Sequence, residues 1–400
     1  MSNSAEWTIL VFLNAKNNLE QYSFPNFLQM ASVGSRDGVN IVVEMGRPKE
    51  HYTEDYGGWS KTLRFFIRRG DQPLETCALA DLGATDMGDI TSLVDFVRWG
   101  RSTYPAKHTM LVIWNHGQGW RAPPGRPLAP VRQAGGYRYV STDEDTQSKL
   151  YNRAIQDALA ELLAGEKLDI IAFDACLMAM VETAYALRGV ADIMVASEEL
   201  EPGSGWDYSR WLQPLVDAKG AVAPEDLARQ LVRAMASEYR DLSAATLSAV
   251  RLDRSATLAA AISRFADAAI PQLSATTIEI WKRARAACGI YGEEAGMDSI
   301  DLCLFMQQIA GSALAADLRA RASEVIEAHD ATVLDAYASK SRADGYGSRG
   351  LAIYFPASAR AHAADPDGAG YDADNKLHPV EFVERERWPA FLRAYWELVP

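Results

Sequence analysis

"LVIWNHGQGW", residues 111–120, and "DIIAFDACLMAM", residues 169–180, decide how this chain folds. Each opens as a run of branched and aromatic apolar residues without polar alternation, the pattern of a strand buried on both faces. Each then ends in reactive side chains: His116 and Gly117 in the first, Asp174, Ala175 and Cys176 in the second. Strands buried on both faces belong to parallel sheets covered by helices, and such sheets bind their ligands beyond the carboxyl ends of the strands. His116 and Cys176 therefore fall where a shared site is expected.

Outward from these two runs, further strands are expected at Trp7–Leu13, Val39–Met45, Thr62–Arg68 and Ile193–Ala196, with His108–Trp114 and Leu168–Phe173 as the central pair. Between them lie stretches such as "DITSLVDFVRWGRS" and "CLMAMVETAYALRG", whose apolar residues recur every three and four positions as in amphipathic helices. The alternation indicates an α/β fold with a mainly parallel central sheet. From about Pro224 to Ala338 the chain turns Ala-rich and helical. Its strand-like interruption at Thr246–Arg251, and a later one at Leu351–Phe355, are expected to extend the first sheet. Residues 1–220 are read as a core and 221–400 as a mostly helical part interwoven with it.

The 400 residues carry 40 Lys and Arg against 53 Asp and Glu, a formal charge of −13. That balance disfavours general affinity for nucleic acid or anionic membrane. Cys77, Cys176, Cys288 and Cys303 form no CxxC pair and no disulfide-like spacing, and "MSNSAEWTILVFL" lacks the basic start of a signal peptide. A cytoplasmic monomer is the resulting expectation. Residues 121–149 are dense in Pro, Gly and Arg and read as a long exposed loop directly after the histidine. "GYGSRG", residues 345–350, matches GxGxxG but precedes a strand instead of following one, so no dinucleotide site is read there. His51, His108, His329, His362 and His378 show no metal-binding spacing, and Cys77, Cys288 and Cys303 are taken as structural.

A thiol beside an imidazole is the simplest cysteine nucleophile, because the ring accepts the thiol proton and later protonates a leaving amine. Acyl transfer also needs donors for a developing oxyanion. The backbone N–H groups of Gly117, which has no Cβ to hinder approach, and of Cys176 are the candidates. If the strand runs on to Cys176, Asp174 projects from the same face as the thiol, and its carboxylate suits a bidentate grip on a basic side chain.

"WNHGQGW" and "FDACLMAMVETAYAL" closely resemble the histidine and cysteine motifs of the clostripain-like cysteine peptidases, family C11, relatives of the caspases. "WTILVFLNAKNNLE", "DMGDITSLVDFVRWGRSTYPA", "VASEELEPGSGWDY" and "GLAIYFP" resemble further family segments in the same order. The resemblance implies a caspase-like α/β/α sandwich with a helical C-terminal extension, Cys176 as nucleophile, His116 as general acid and base, and Gly117 with Cys176 as oxyanion donors. It also implies cleavage after basic residues, arginine before lysine, with Asp174 selecting them. Asp207 is read as a second acidic wall, against the alternative of a helix cap near Ser209, and Ser197 and Glu198 as pocket-edge residues. Relatives are cut once between the two motifs, so the resemblance implies a zymogen activated in the 121–149 loop, at Arg132 or Arg138, by itself or by an upstream protease. The founding member depends on calcium. "DPDGAGYDAD", residues 365–374, lacks EF-hand spacing and reads as a solvated acidic loop, so no metal site or cofactor is assigned. The rival reading is a caspase-like binding or regulatory protein without catalysis.

Overall fold

The structure, a computed structural model, describes residues 4–50, 53–117, 119, 140–240, 244–292, 298–365, 368–372 and 380–400. Its strands in chain order are β1 (Ala5–Asn14), β2 (Val39–Gly46), β3 (Thr62–Phe66), β4 (Ala80–Asp81), β5 (Ala106–Trp114), β6 (Ser141–Asp143), β7 (Ser148–Leu150), β8 (Leu168–Asp174), β9 (Ala191–Ala196), β10 (Thr246–Arg251), β11 (Ser299–Asp301), β12 (Val333–Ala338) and β13 (Ala352–Tyr354). The helices used below are α1 (Glu20–Val33), α2 (Ile90–Thr103), α3 (Asn152–Leu163), α4 (Val181–Leu187), α5 (Tyr208–Asp217), α6 (Pro224–Glu238), α7 (Ser255–Ala269), α8 (Ile278–Ala286), α9 (Leu302–Ala310) and α10 (Ala316–Thr332).

One sheet runs β12-β10-β9-β8-β5-β1-β2-β3-β4 among the described residues. Its centre, from β9 to β2, is parallel, and both edges are antiparallel. In β1, Leu10 and Phe12 enter one hydrophobic core while Ile9, Val11 and Leu13 enter the other, all fully buried. Side chains alternate across a strand, so a wholly apolar strand requires cover on both faces. Helices α1, α5 and α6 supply one layer through Phe27, Trp211 and Leu231. Helices α2, α3, α4, α7 and α9 supply the other through Phe96, Ile155, Ala184, Phe265 and Phe305. The result is the expected α/β/α sandwich.

The C-terminal part divides between sheet and helical layer. β10 joins the main sheet antiparallel to β9, as expected from its apolar run. β13 instead pairs with β11 in a separate two-stranded sheet. β12 lies in a stretch that reads as helical, yet it pairs with β10 at the sheet edge, where its residues are only half-buried and a weak apolar pattern suffices. The exposed loop expected over 121–149 does not extend over its last residues. Residues 121–139 lie outside the described residues, while Ser141–Leu150 form the β6–β7 hairpin, with Asp143 Oδ1 accepting from the amide of Asp145 at 2.9 Å to make its turn.

Candidate active site

Parallel pairing of β5 with β8 sets Trp114 opposite Asp174, so His116 and Cys176 each stand two residues past a matched strand end. The two strand ends then touch. A Cβ added to Gly117 would stand 2.7 Å from the amide nitrogen of Cys176 and closer still to its carbonyl oxygen. Only glycine permits this approach, so Gly117 is what brings the histidine turn against the peptide of the cysteine. Among the described residues, the amides of Gly117 and Cys176 donate to no internal hydrogen bond, which leaves both for an incoming oxygen.

The neighbouring strand ends hold this pair in place. Asn115 donates to the carbonyl of Asn14 at 2.7 Å, while its own oxygen accepts from the amide of His116 at 2.7 Å. The Nε2 of His116 lies 2.7 Å from Oδ1 of Asn18, in the turn after β1. An amide oxygen there accepts from Nε2–H, so the neutral ring keeps Nδ1 as its basic nitrogen. Beyond β9, the carbonyls of Ser197 and Glu199 accept from the amides of Ala179, at 2.8 Å, and Leu177, at 3.1 Å. Leu177 adopts φ +61°, a left-handed conformation costly for a non-glycine residue, which turns the chain sharply just after the thiol.

Both reactive groups are half-buried and electrically neutral in this arrangement. Burial pushes the Cys176 thiol up to about 12, reinforced by the negative charge of Glu201, Glu199 and Asp174 and opposed by the Glu201 amide, which donates to the sulfur at 3.2 Å. Burial also pushes His116 down to about 4. Desolvation disfavours charge on either group, so thiol and imidazole prevail over thiolate and imidazolium.

Asp174 lies 4% exposed, accepting from the Tyr208 hydroxyl at 3.0 Å and the Trp206 amide at 3.5 Å. Glu201 comes to the same place, with Trp206 Nε1 donating to it at 3.2 Å. Burial raises Asp174 to about 6 and raises Glu201 well above the ordinary carboxylate range, with Asp174's charge adding to the rise. Two carboxyls so placed retain a proton between them. Asn26 of α1 holds the surrounding loop through the carbonyls of Ser204, at 3.1 Å, and Trp206, at 3.0 Å.

Asp207, read as the second acidic wall, instead caps α5: it accepts from the Ser209 amide at 3.0 Å and pairs with Arg210 at 2.9 Å. Ser197 is buried, bonded to Thr246 at 2.8 Å, and Glu198 accepts from the Gly350 amide at 2.9 Å. Both secure the end of β9 under the cysteine turn. Arg132 and Arg138 lie outside the described residues. Asn18 and Glu201 escaped the sequence reading. The run of asparagines closing β1 was a usable signal, since β1 borders the histidine strand, whereas nothing in "SEELEPG" distinguishes Glu201 from its neighbours.

Asp365 is buried against the Tyr354 hydroxyl at 3.1 Å, so the segment expected as a solvated acidic loop begins inside the protein. Residues 366–367 and 373–374 of it lie outside the described residues. Among the described residues, the metal-type side chains that converge are Cys303, His329 and Asp330. Calcium takes only oxygen ligands, about six to eight of them, so this set does not fit it.

The clostripain family model matches residues 11–396. Clostripain of Hathewaya histolytica is 27% identical over 243 residues, which take in 55% of this chain and 44% of clostripain, so the chain spans less than half of that relative. A secreted C11 cysteine protease from Bacteroides thetaiotaomicron, solved with an irreversible peptide inhibitor, superposes with a TM-score of 0.63 at 18% identity, covering 98% of this chain and 99% of its own. An inactive zymogen C11 protease from Parabacteroides distasonis superposes with a TM-score of 0.58 at 16% identity over 100% of both chains. The secreted neighbour overturns the cytoplasmic location expected above. That expectation rested on unpaired cysteines and on the first residues, and free thiols are compatible with either compartment.

Proposed function

From the premise that this chain belongs to the clostripain family of cysteine peptidases, we propose that it is an endopeptidase cutting after arginine, and secondarily lysine, outside the cytoplasm. The observation that carries the reading is the site of the acidic pair, Asp174 and Glu201, buried together and close enough to Cys176 for their charge to raise its thiol. A guanidinium entering it meets two carboxyls and displaces the proton they share, a charge-assisted contact in a dry site. Glu201 takes the role that the sequence had suggested for Asp207.

In the proposed reaction, His116 takes the Cys176 proton as sulfur attacks the scissile carbonyl. The oxygen gains charge facing the amides of Gly117 and Cys176. Collapse of the intermediate expels the amine, which receives the proton from His116, and leaves an acyl thioester. Water, deprotonated by the same imidazole, then releases the acid and restores the thiol. Asn18 keeps the ring in the tautomer that this exchange requires.

The neutral thiol and imidazole of the uncut chain support a zymogen. The segment between the motifs is rooted beside the site at both ends. At one end the Gly119 carbonyl accepts from Asn152 at 2.8 Å, close to Met180. At the other the amide of Val140 donates to Leu150 at 2.9 Å. Cutting after Arg132 or Arg138 would free those roots to move apart. Mass spectrometry of the purified chain beside Cys176→Ala reports the cut and the residue before it. An arginyl fluorogenic peptide reports turnover. Hydrolysis surviving Cys176→Ala, or arginine preference surviving Asp174→Ala, would reject the assignment, and no turnover after loop cleavage would favour the silent scaffold.

A further inference from the structure

Far along the chain from the catalytic motifs, Cys303 in the first turn of α9 meets His329 and Asp330 in the last turn of α10. A thiol sulfur, a ring nitrogen and a carboxylate oxygen from these residues all lie within 4.8 Å of one another. Cys303 and His329 are fully enclosed, while Asp330 opens to solvent. His329 Nδ1 stands 3.1 Å from Asp330 Oδ1, and its buried Nε2 has no hydrogen-bond partner among the described residues. The Cys303 sulfur has only a long contact, 3.7 Å, from the Gln307 amide. Buried polar atoms are almost always paired, so a sequestered ring nitrogen beside a weakly engaged sulfur is an arrangement that a ligand would complete.

We propose that Cys303, His329 and Asp330 bind a divalent cation of the zinc type. One sulfur, one nitrogen and one oxygen suit zinc or cobalt and are foreign to calcium and magnesium. Tetrahedral zinc with bonds of about 2.0–2.3 Å holds its ligand atoms roughly 3.3–3.8 Å apart. Closing from a spread of up to 4.8 Å needs a movement of about 1 Å. On binding, the Cys303 S–H bond breaks, sulfur bonds the metal, and the proton passes to buffer. Water completes the fourth position. The ion would clamp α9 to α10, and Asp301 at the root of α9 sits against Glu198, which helps secure the cysteine turn. The spacing hides the site from sequence, because two of its ligands arrive from a different helix.

The test uses the full chain carrying Cys176→Ala, which excludes metal held by the catalytic thiol and makes the result independent of the protease assignment. Metal-free protein is titrated with Co²⁺ and Zn²⁺. One equivalent of Co²⁺ should bind and produce a thiolate-to-cobalt charge-transfer band, and excess Ca²⁺ should leave it unchanged. Cys303→Ser in the same background should abolish the band and weaken Zn²⁺ binding at least ~10-fold, and Asp330→Asn should weaken it ~10-fold. Absence of the band in the Cys176→Ala protein, or its survival in the double variant, where Cys77 or Cys288 would be the ligand, overturns the proposal. Should Cys303→Ser fail to fold, Asp330→Asn decides, since its side chain is exposed: unchanged affinity there overturns the proposal equally.

Discussion

Replacing Asp174 with asparagine should make the protein more stable while costing it arginine selectivity. The Asn oxygen still accepts from Tyr208 and Trp206, and its NH₂ faces Glu201, so shape and hydrogen bonding survive while the buried charge disappears. A carboxyl raised from 3.8 to about 6 carries up to about 3 kcal/mol of penalty when ionised, at ~1.36 kcal/mol per pH unit. Because the folded value lies above the unfolded one, the penalty is absent below about 3.8, grows between the two values and is complete above about 6. In the Cys176→Ala background, urea unfolding at pH 8 should therefore show Asp174→Asn more stable by about 1–3 kcal/mol, the gain shrinking by pH 4.5. Arginyl kcat/KM, measured with Cys176 intact, should fall ~10- to 100-fold, the scale of one or two hydrogen bonds to a charged group. Asp174 and Glu201 titrate together, so the gain from Glu201→Gln added to Asp174→Asn should be less than additive. A variant no more stable at pH 8, or equally stabilised at both pH values, would refute the argument that Asp174 is a desolvated charge awaiting a cation.

Asn18→Ala should lower kcat ~10- to 100-fold with KM nearly unchanged, and Asn18→Asp should raise the His116 value from about 4 and carry the acid limb of kcat upward; a change confined to KM would remove Asn18 from this role. Gly117→Ala should cost at least ~100-fold in kcat and also lower the urea midpoint, because its Cβ meets backbone atoms of Ala175 and Cys176 and must push the histidine turn off them; near-normal activity would show that the two turns tolerate separation. Iodoacetamide should modify Cys176 of uncut protein slowly at neutral pH, faster as pH climbs toward 12, and readily at neutral pH after loop cleavage; equal rates before and after cleavage contradict the zymogen reading. Substrates with citrulline in place of arginine should lose kcat as well as binding, since they bring no charge to offset Glu201 and Asp174 beside the thiol; an unchanged kcat would disconnect the pocket from the nucleophile.

The central sheet was readable because its strands are apolar on both faces: β1, β2, β5, β8 and β9 all lie where the runs of Ile, Val and Phe placed them. The edges were not. β12 has residues with solvent on one side, and its short pattern merges into the preceding helix. The hairpin of β6 and β7 is built from Ser, Thr and Asp whose burial depends on asparagines 25 or more residues away in sequence, such as Asn115 on Thr142. His116 and Cys176 were legible because a strand end is local information. Glu201 was not, because its role exists only once neighbouring strand ends stand side by side, and the asparagines closing β1 signalled Asn18 only through the adjacency of β1 to the histidine strand. The same limit separates Asp207 from the pocket: two residues decide between cap and wall, and the Ser209 amide was nearer than the substrate.

In the proposed reading, a nucleophile two residues after a carboxylate that binds basic substrates sets two demands against each other. The pocket must be dry and negative to hold a guanidinium tightly, yet a dry, negative surrounding is what keeps Cys176 protonated. Moving the acids away would free the thiolate at the expense of selectivity. Opening the site to water would weaken both the grip on arginine and the oxyanion contacts. A guanidinium meets both demands at once, because it neutralises Asp174 and Glu201 as it binds and so removes part of what holds the thiol up. The free enzyme is thereby left nearly inert.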